Sequence, residues 1–252
     1  MTDIKIENCS SLELSTRTSN LVGFYSAILT AVLTFLAFGF AMVAVPISGA
    51  NCLEGCIKYP YLKTISQYPK DYLWMYLAIV MLLSYLVLMA AVHSYASQQR
   101  KIFAQIGLIF SVIAALILLA DYFVQFSVVP VSLMSGETDG ITLLTQYNPH
   151  GVFIALEEVG YLMMSISFLF TALVFVNKNR LDAAIRWIFF MSFVLVIISL
   201  ILISIYYGLN RQDRFEVIVI SISWLVLIIN GVLLSIMFGR ELKMNQDLME
   251  AM

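Results

Sequence analysis

Asp121, Glu157 and Glu158 stand inside long apolar stretches that hold no other charged residue. An ionisable side chain at membrane depth is costly, and it usually faces a bundle interior or a wet cavity. Three carboxylates without a resident cation are untenable in a low dielectric. They must be neutral and hydrogen-bonded, paired with a bound cation, or set in a hydrated vestibule. No Lys or Arg shares their stretches. His150 is the evident internal partner, and Lys63 or Lys70 could fold over from a loop. The chemistry open to such a group is capture of a cation, a proton or a basic ligand, or acid/base catalysis.

The stretches that must position these acids are Leu21–Val45, Tyr72–Val92, Ile102–Val129, Gly151–Val176, Trp187–Leu209 and Val217–Phe238. Each is long enough to cross about 30 Å of hydrocarbon at about 1.5 Å per residue. Four carry no charge, whereas a surface helix of a soluble protein keeps a polar face. Of 252 residues, 61% are hydrophobic and 12% charged, about half the charge of an ordinary soluble domain. The expected fold is all-α: a polytopic integral membrane protein, a six-helix transmembrane bundle with short loops. It comprises a tail over 1–20, the membrane domain over 21–239 and a charged, helix-prone tail over 240–252. The lipid bilayer is its first partner.

The first stretch, at 25 residues, exceeds a signal-peptide core of about 7–15, and acids outnumber bases ahead of it. It reads as a permanent span. The 14 Lys and Arg are scattered, with no run suited to nucleic acid or to anionic lipid. Phosphate-cradling glycine loops, zinc-helix motifs and nucleophile elbows are absent from the sequence. No Lys lies in a span to carry retinal. Neither a cofactor nor a metal is expected.

Nine of the 14 bases fall on the side shared by the termini and the second and fourth loops. The positive-inside bias therefore predicts both termini in the cytoplasm, and the expected location is the plasma membrane. Cys52 and Cys56 then lie in an external loop, where an oxidising compartment favours a small disulfide staple over redox chemistry or free thiols. Tyr59, Tyr61, Tyr68 and Trp74 around Pro60 and Pro69 read as an interfacial aromatic belt. Asn148-Pro149 reads as a helix start, and Tyr206, Tyr207, Arg211 and Glu216 as anchors at the outer interface.

Counted from the outer ends, Asp121 and Glu157 both sit about 10–15 Å deep. On the third span Gly107, Ser111, Ala114, Asp121 and Gln125 share one stripe, which should face protein. On the fourth, His150, Glu157, Tyr161 and Met164 share a face, and Glu158 is rotated by about 100° onto a line with Gly151 and Ser165. The candidate ligand-binding set is Asp121, Gln125, His150, Glu157 and Tyr161. Ser26, Thr30 and Thr34 should bond back to their own helix, and Asn230 should act as packing glue.

Three readings follow. The leading one is binding or transport of a cation, a proton or a small basic ligand through an acidic pocket open to the outside. The second is a membrane enzyme on a lipid or isoprenoid, using Glu157 or Asp121 as acid/base. The third is an accessory or sensor subunit whose polar network is structural. The span interiors lack proline, which counts against large alternating-access motions.

Overall fold

The spans are rich in Leu, Met and Ala, which lose little rotamer freedom in a helix, and they form helices throughout. In the computed structural model the described backbone covers residues 2–43, 46–176 and 179–250, with side chains from 16 to 247 in those ranges. Val45, at the end of the first apolar run, and Lys178, one of the nine bases on the side of the termini, lie outside the described residues, as does the side chain of Lys5, another of the nine. The helices are α1 (Thr2–Val43), α2 (Leu73–Tyr95), α3 (Lys101–Ser127), α4 (Val129–Ser135), α5 (Ile141–Leu144), α6 (Val152–Ala172), α7 (Arg180–Tyr207) and α8 (Arg214–Glu250). Six candidate spans run through α1, α2, α3–α4, α6, α7 and α8. The chain is an all-α, multi-pass membrane protein.

Local chemistry sets the helix ends. Asn179 caps α7 by accepting from the Asp182 amide at 2.9 Å, and α4 stops at Gly136, whose φ of 75° is left-handed. The Asn148-Pro149 expectation is corrected. The α6 helix starts at Val152 behind Gly151, and Asn148 instead closes a turn by accepting from the His150 amide at 3.0 Å. Its amide group donates to the Thr142 carbonyl at 2.8 Å. The turn carries the chain through Pro149, His150 and Gly151 before the first helical residue, so the Asn148 side chain sits too early to cap α6. The α1 and α8 helices continue well past the apolar runs at both ends, as suits the helix-prone stretch over 240–252.

Consecutive spans pack side by side, α8 returns against α1, and α6 also touches α8. All five residues of the Gly107–Gln125 stripe are buried. Outward faces are apolar: Leu116 is 69% exposed, while Leu118 is fully buried. Such faces suit lipid, where burial of apolar surface between helices supplies little drive and close packing and polar ties must hold the bundle. At Gly107 an added Cβ would sit 2.9 Å from Thr171 Oγ1, so α3 and α6 meet closely there. Tyr85 donates to Ser167 Oγ at 3.0 Å and Ser167 to the Gly107 carbonyl at 2.7 Å, tying α2, α6 and α3. Asn230 reaches the Ile185 carbonyl of α7 at 3.4 Å. Ser26 and Thr34 bond back to Val22 and Thr30, but the Thr30 hydroxyl pairs with Ser84 of α2 at 2.9 Å.

The loop between α1 and α2 carries the Cys52–Cys56 disulfide and marks what is called here the disulfide end. That loop is tied down by Asp213, which accepts from the Ala50 amide at 2.9 Å. Gly49, at φ 74°, lies so close that a Cβ would meet the Asp213 carboxyl at 2.7 Å.

Candidate functional site

At the disulfide end, α1, α2, α6 and α8 leave a cavity of about 260 Å³ between them. Its charged lining residues are Asp71, Asp213 and Glu216, and among the described residues no Lys, Arg or His lines it. Trp74, Trp224 and Phe153 supply much of the apolar wall. The two indoles stand 6.0 Å apart between ring centroids, and Phe38 of α1 packs edge-on against Trp224 at 5.8 Å. Acids set among aromatic faces form an environment that attracts cations both by charge and by ring quadrupole.

Two of the acids are positioned by partners. Tyr147 donates to Asp71 Oδ2 at 3.2 Å, and burial followed by the neighbouring Tyr72 and Asp71 pushes the Tyr147 phenol above its usual range. Asp213 holds the disulfide loop, as described above. The third, Glu216, sits on the first turn of α8 and comes within hydrogen-bond reach of the Glu157 carboxyl on α6. Two carboxyl groups in such contact need a proton or a cation between them, because like charges that close cannot both stay ionised.

Behind Glu157 runs a chain of aromatic donors. Trp224 Nε1 donates to the Tyr161 hydroxyl at 2.8 Å. The Tyr161 and Tyr122 hydroxyls lie 2.8 Å apart, and Tyr122 donates to Glu157 Oε1 at 2.7 Å. Each phenol has one proton, so Tyr161 donates to Tyr122 in turn. All donors thus point towards Glu157. Its other oxygen, Oε2, is buried without a donor, as is Asp121 Oδ2. Asp121 on α3 stands in electrostatic range of Glu157 and Glu216.

The residues singled out from sequence are distributed unevenly. None of Asp121, Gln125, His150, Glu157 and Tyr161 lines the cavity itself. Glu157 borders it through Glu216, and Tyr161 through Trp224. Asp121 is buried nearby, and Gln125, fully buried, accepts from the Gln146 amide at 3.1 Å. His150 is exposed, because the Asn148 turn puts it before α6 begins rather than on its interior face. Glu158 is corrected from a small-residue seam to an ion pair with Arg211. Arg211 folds in from the α7–α8 connection, so the acids do have one nearby cation, although no span supplies it. Trp74, expected in an interfacial belt, packs inside against Tyr122 with ring centroids 5.2 Å apart.

Glu216 is the residue that the sequence reading placed elsewhere. It precedes the last apolar run by one position, so it read as an interface anchor. The α8 helix begins at Arg214, which carries Glu216 onto the first turn and into the bundle. Helix starts precede apolar runs by a few residues, and that offset was the available signal. Among the described residues no three His, Cys, Asp or Glu side chains are set to hold a metal ion. No family model, curated protein or solved structure matches the chain.

Proposed function

We propose that this membrane protein binds a small organic monocation in the cavity at its disulfide end. The observation that carries this reading is the lining itself: Asp71, Asp213 and Glu216 supply negative charge, Trp74 and Trp224 supply aromatic faces, and no basic side chain among the described residues competes. An alkylated ammonium suits such a site better than a bare metal ion, since aromatic rings replace part of its hydration at little cost. A purely structural network has no need of an open cavity or of buried carboxyl oxygens without donors. The uneven distribution of Lys and Arg, together with the paired loop cysteines, supports a cavity mouth at the cell exterior and both termini in the cytoplasm. The apolar runs contain no proline and the one span that holds one, α3–α4, has it at Pro130 near the disulfide end, which favours capture at a fixed site over transport by rocking halves.

Tryptophan fluorescence tests the reading. Two of the three tryptophans line the cavity, and the third, Trp187, is exposed on α7 and can be silenced as Trp187→Phe. Choline should quench that variant saturably, and its uncharged isostere with carbon in place of nitrogen should not. Equal responses to the two compounds, or none to either, would refute it.

A further inference from the structure

Taking that binding reading as its base, we infer that the Glu157–Glu216 pair holds one proton in the empty site and releases it when the organic cation binds, so that capture is an exchange of cation for proton. The first support is geometric. The two carboxyl groups lie in hydrogen-bond reach of each other, one lining the cavity and the other fully buried behind it. Glu157 Oε1 already accepts from Tyr122, while Oε2 is buried with no donor, a place that a proton shared with Glu216 would fill. The arrangement is therefore complete with one proton in it, and short of a donor with none.

The surrounding charges point the same way. Asp121 faces the pair from α3, and Asp213 lies just before α8. Glu158 on α6 is nearby, but Arg211 already neutralises it. Tyr122 and Tyr161 are hydrogen-bonded phenols in the chain behind Glu157. From α2, the side nearest the cavity contributes Trp74, preceded by Asp71. The α1 side is apolar, with Phe38, Ala41 and Met42. On α7 the titratable groups sit at the two ends, with Tyr207 lying 4.2 Å beneath the Arg214 guanidinium. No uncommitted base is in place to let both glutamates ionise. A cation lodged against Glu216 supplies the missing positive charge. The shared O–H bond then breaks, its electron pair stays on the carboxyl oxygen, and the proton leaves to water at the cavity mouth.

The donor chain prepares for this step. With Trp224, Tyr161 and Tyr122 all donating towards Glu157, the carboxylate formed on proton release is met by a donor already in place. Trp224 also lines the cavity, so one side chain touches both the ligand space and the chain.

The experiment is calorimetry of choline binding to the purified protein in buffers of different ionisation enthalpy. The expected result is release of about one proton per choline bound, with apparent affinity rising about tenfold per pH unit while the pair still holds its proton. In Glu157→Gln the amide can donate to Glu216, which then stays ionised with no proton to lose. That variant should bind choline without proton release and with flat pH dependence. Wild-type binding without proton release would overturn the exchange and leave the binding site standing. Release that persists in Glu157→Gln would overturn the assignment to this pair. A wild-type protein that binds no choline would instead overturn the binding reading on which the exchange rests.

Discussion

Tyr122 is the point at which the chain of donors can be cut cleanly. Its hydroxyl makes two contacts, 2.7 Å to Glu157 and 2.8 Å to Tyr161, while its ring packs on Trp74 and Phe153. Tyr122→Phe removes the hydroxyl and keeps the ring. Hydrogen bonds between membrane helices average about 0.6 kcal/mol, so two lost bonds account for about 1 kcal/mol. The larger part comes from what remains: Glu157 loses its donor at Oε1 and keeps only the proton it shares with Glu216. Stranding a buried acceptor costs about 1–3 kcal/mol more, giving a total of about 2–4 kcal/mol. Tyr85→Phe is the internal control, since Tyr85 donates only to Ser167, which still has the Gly107 carbonyl as its own acceptor. Nothing is stranded there, and the cost should stay near about 0.6 kcal/mol. Unfolding of both variants in mixed micelles by titration with sodium dodecyl sulfate, followed by circular dichroism, measures the difference. Equal stability of the two variants would refute the assigned role of the Tyr122 hydroxyl.

Other positions give separate checks. At Gly160 an added Cβ would lie 2.6 Å from the Leu118 side chain, so Gly160→Ala should cost about 1–3 kcal/mol by overpacking. The same change made in a Leu118→Ala background should cost clearly less, as unfolding titrations would show. Because the folded Tyr147 phenol is pushed up, its stabilising share is intact below the ordinary tyrosine range near about pH 10 and is lost as pH rises through and beyond it. Melting temperature should therefore fall over about pH 9 to 11, and Tyr147→Phe should make that fall shallower. An impermeant thiol reagent applied to intact cells should label a cysteine introduced at Ser135 and spare one at Asn179, and the reverse pattern would invert the assigned topology.

The spans were legible because composition and length in a bilayer leave few alternatives to helix. The buried stripe on α3 was legible for a similar reason: small residues and acids recurring at helical spacing have to face protein. The acids Asp121 and Glu157 announced themselves by cost. The lining of the cavity did not. Trp74 read as part of an interfacial belt and Trp224 looks like any apolar residue of a span, and only the closing of the bundle, with α2 and α8 both packed on α1, brings the two indoles to one wall. Glu216 was hidden by a boundary, since one turn of helix lies outside the apolar run that marked the span. Arg211 was hidden by a fold-back, because a loop residue's partner depends on the path of the chain between helices. His150 erred the other way, since a face drawn by helical phase holds only where the helix has begun.

The central claim is that an organic cation sits between the two cavity tryptophans and Glu216. Tetraethylarsonium carries the same charge as an alkylated ammonium, with an arsenic atom that diffracts anomalously, so its position in crystals of this protein can be read directly. The account predicts one arsenic peak in the cavity within about 6 Å of the Trp74 or Trp224 ring, lost in crystals of Trp224→Ala. An arsenic peak elsewhere with the cavity empty, or a cavity peak unchanged by Trp224→Ala, would contradict it.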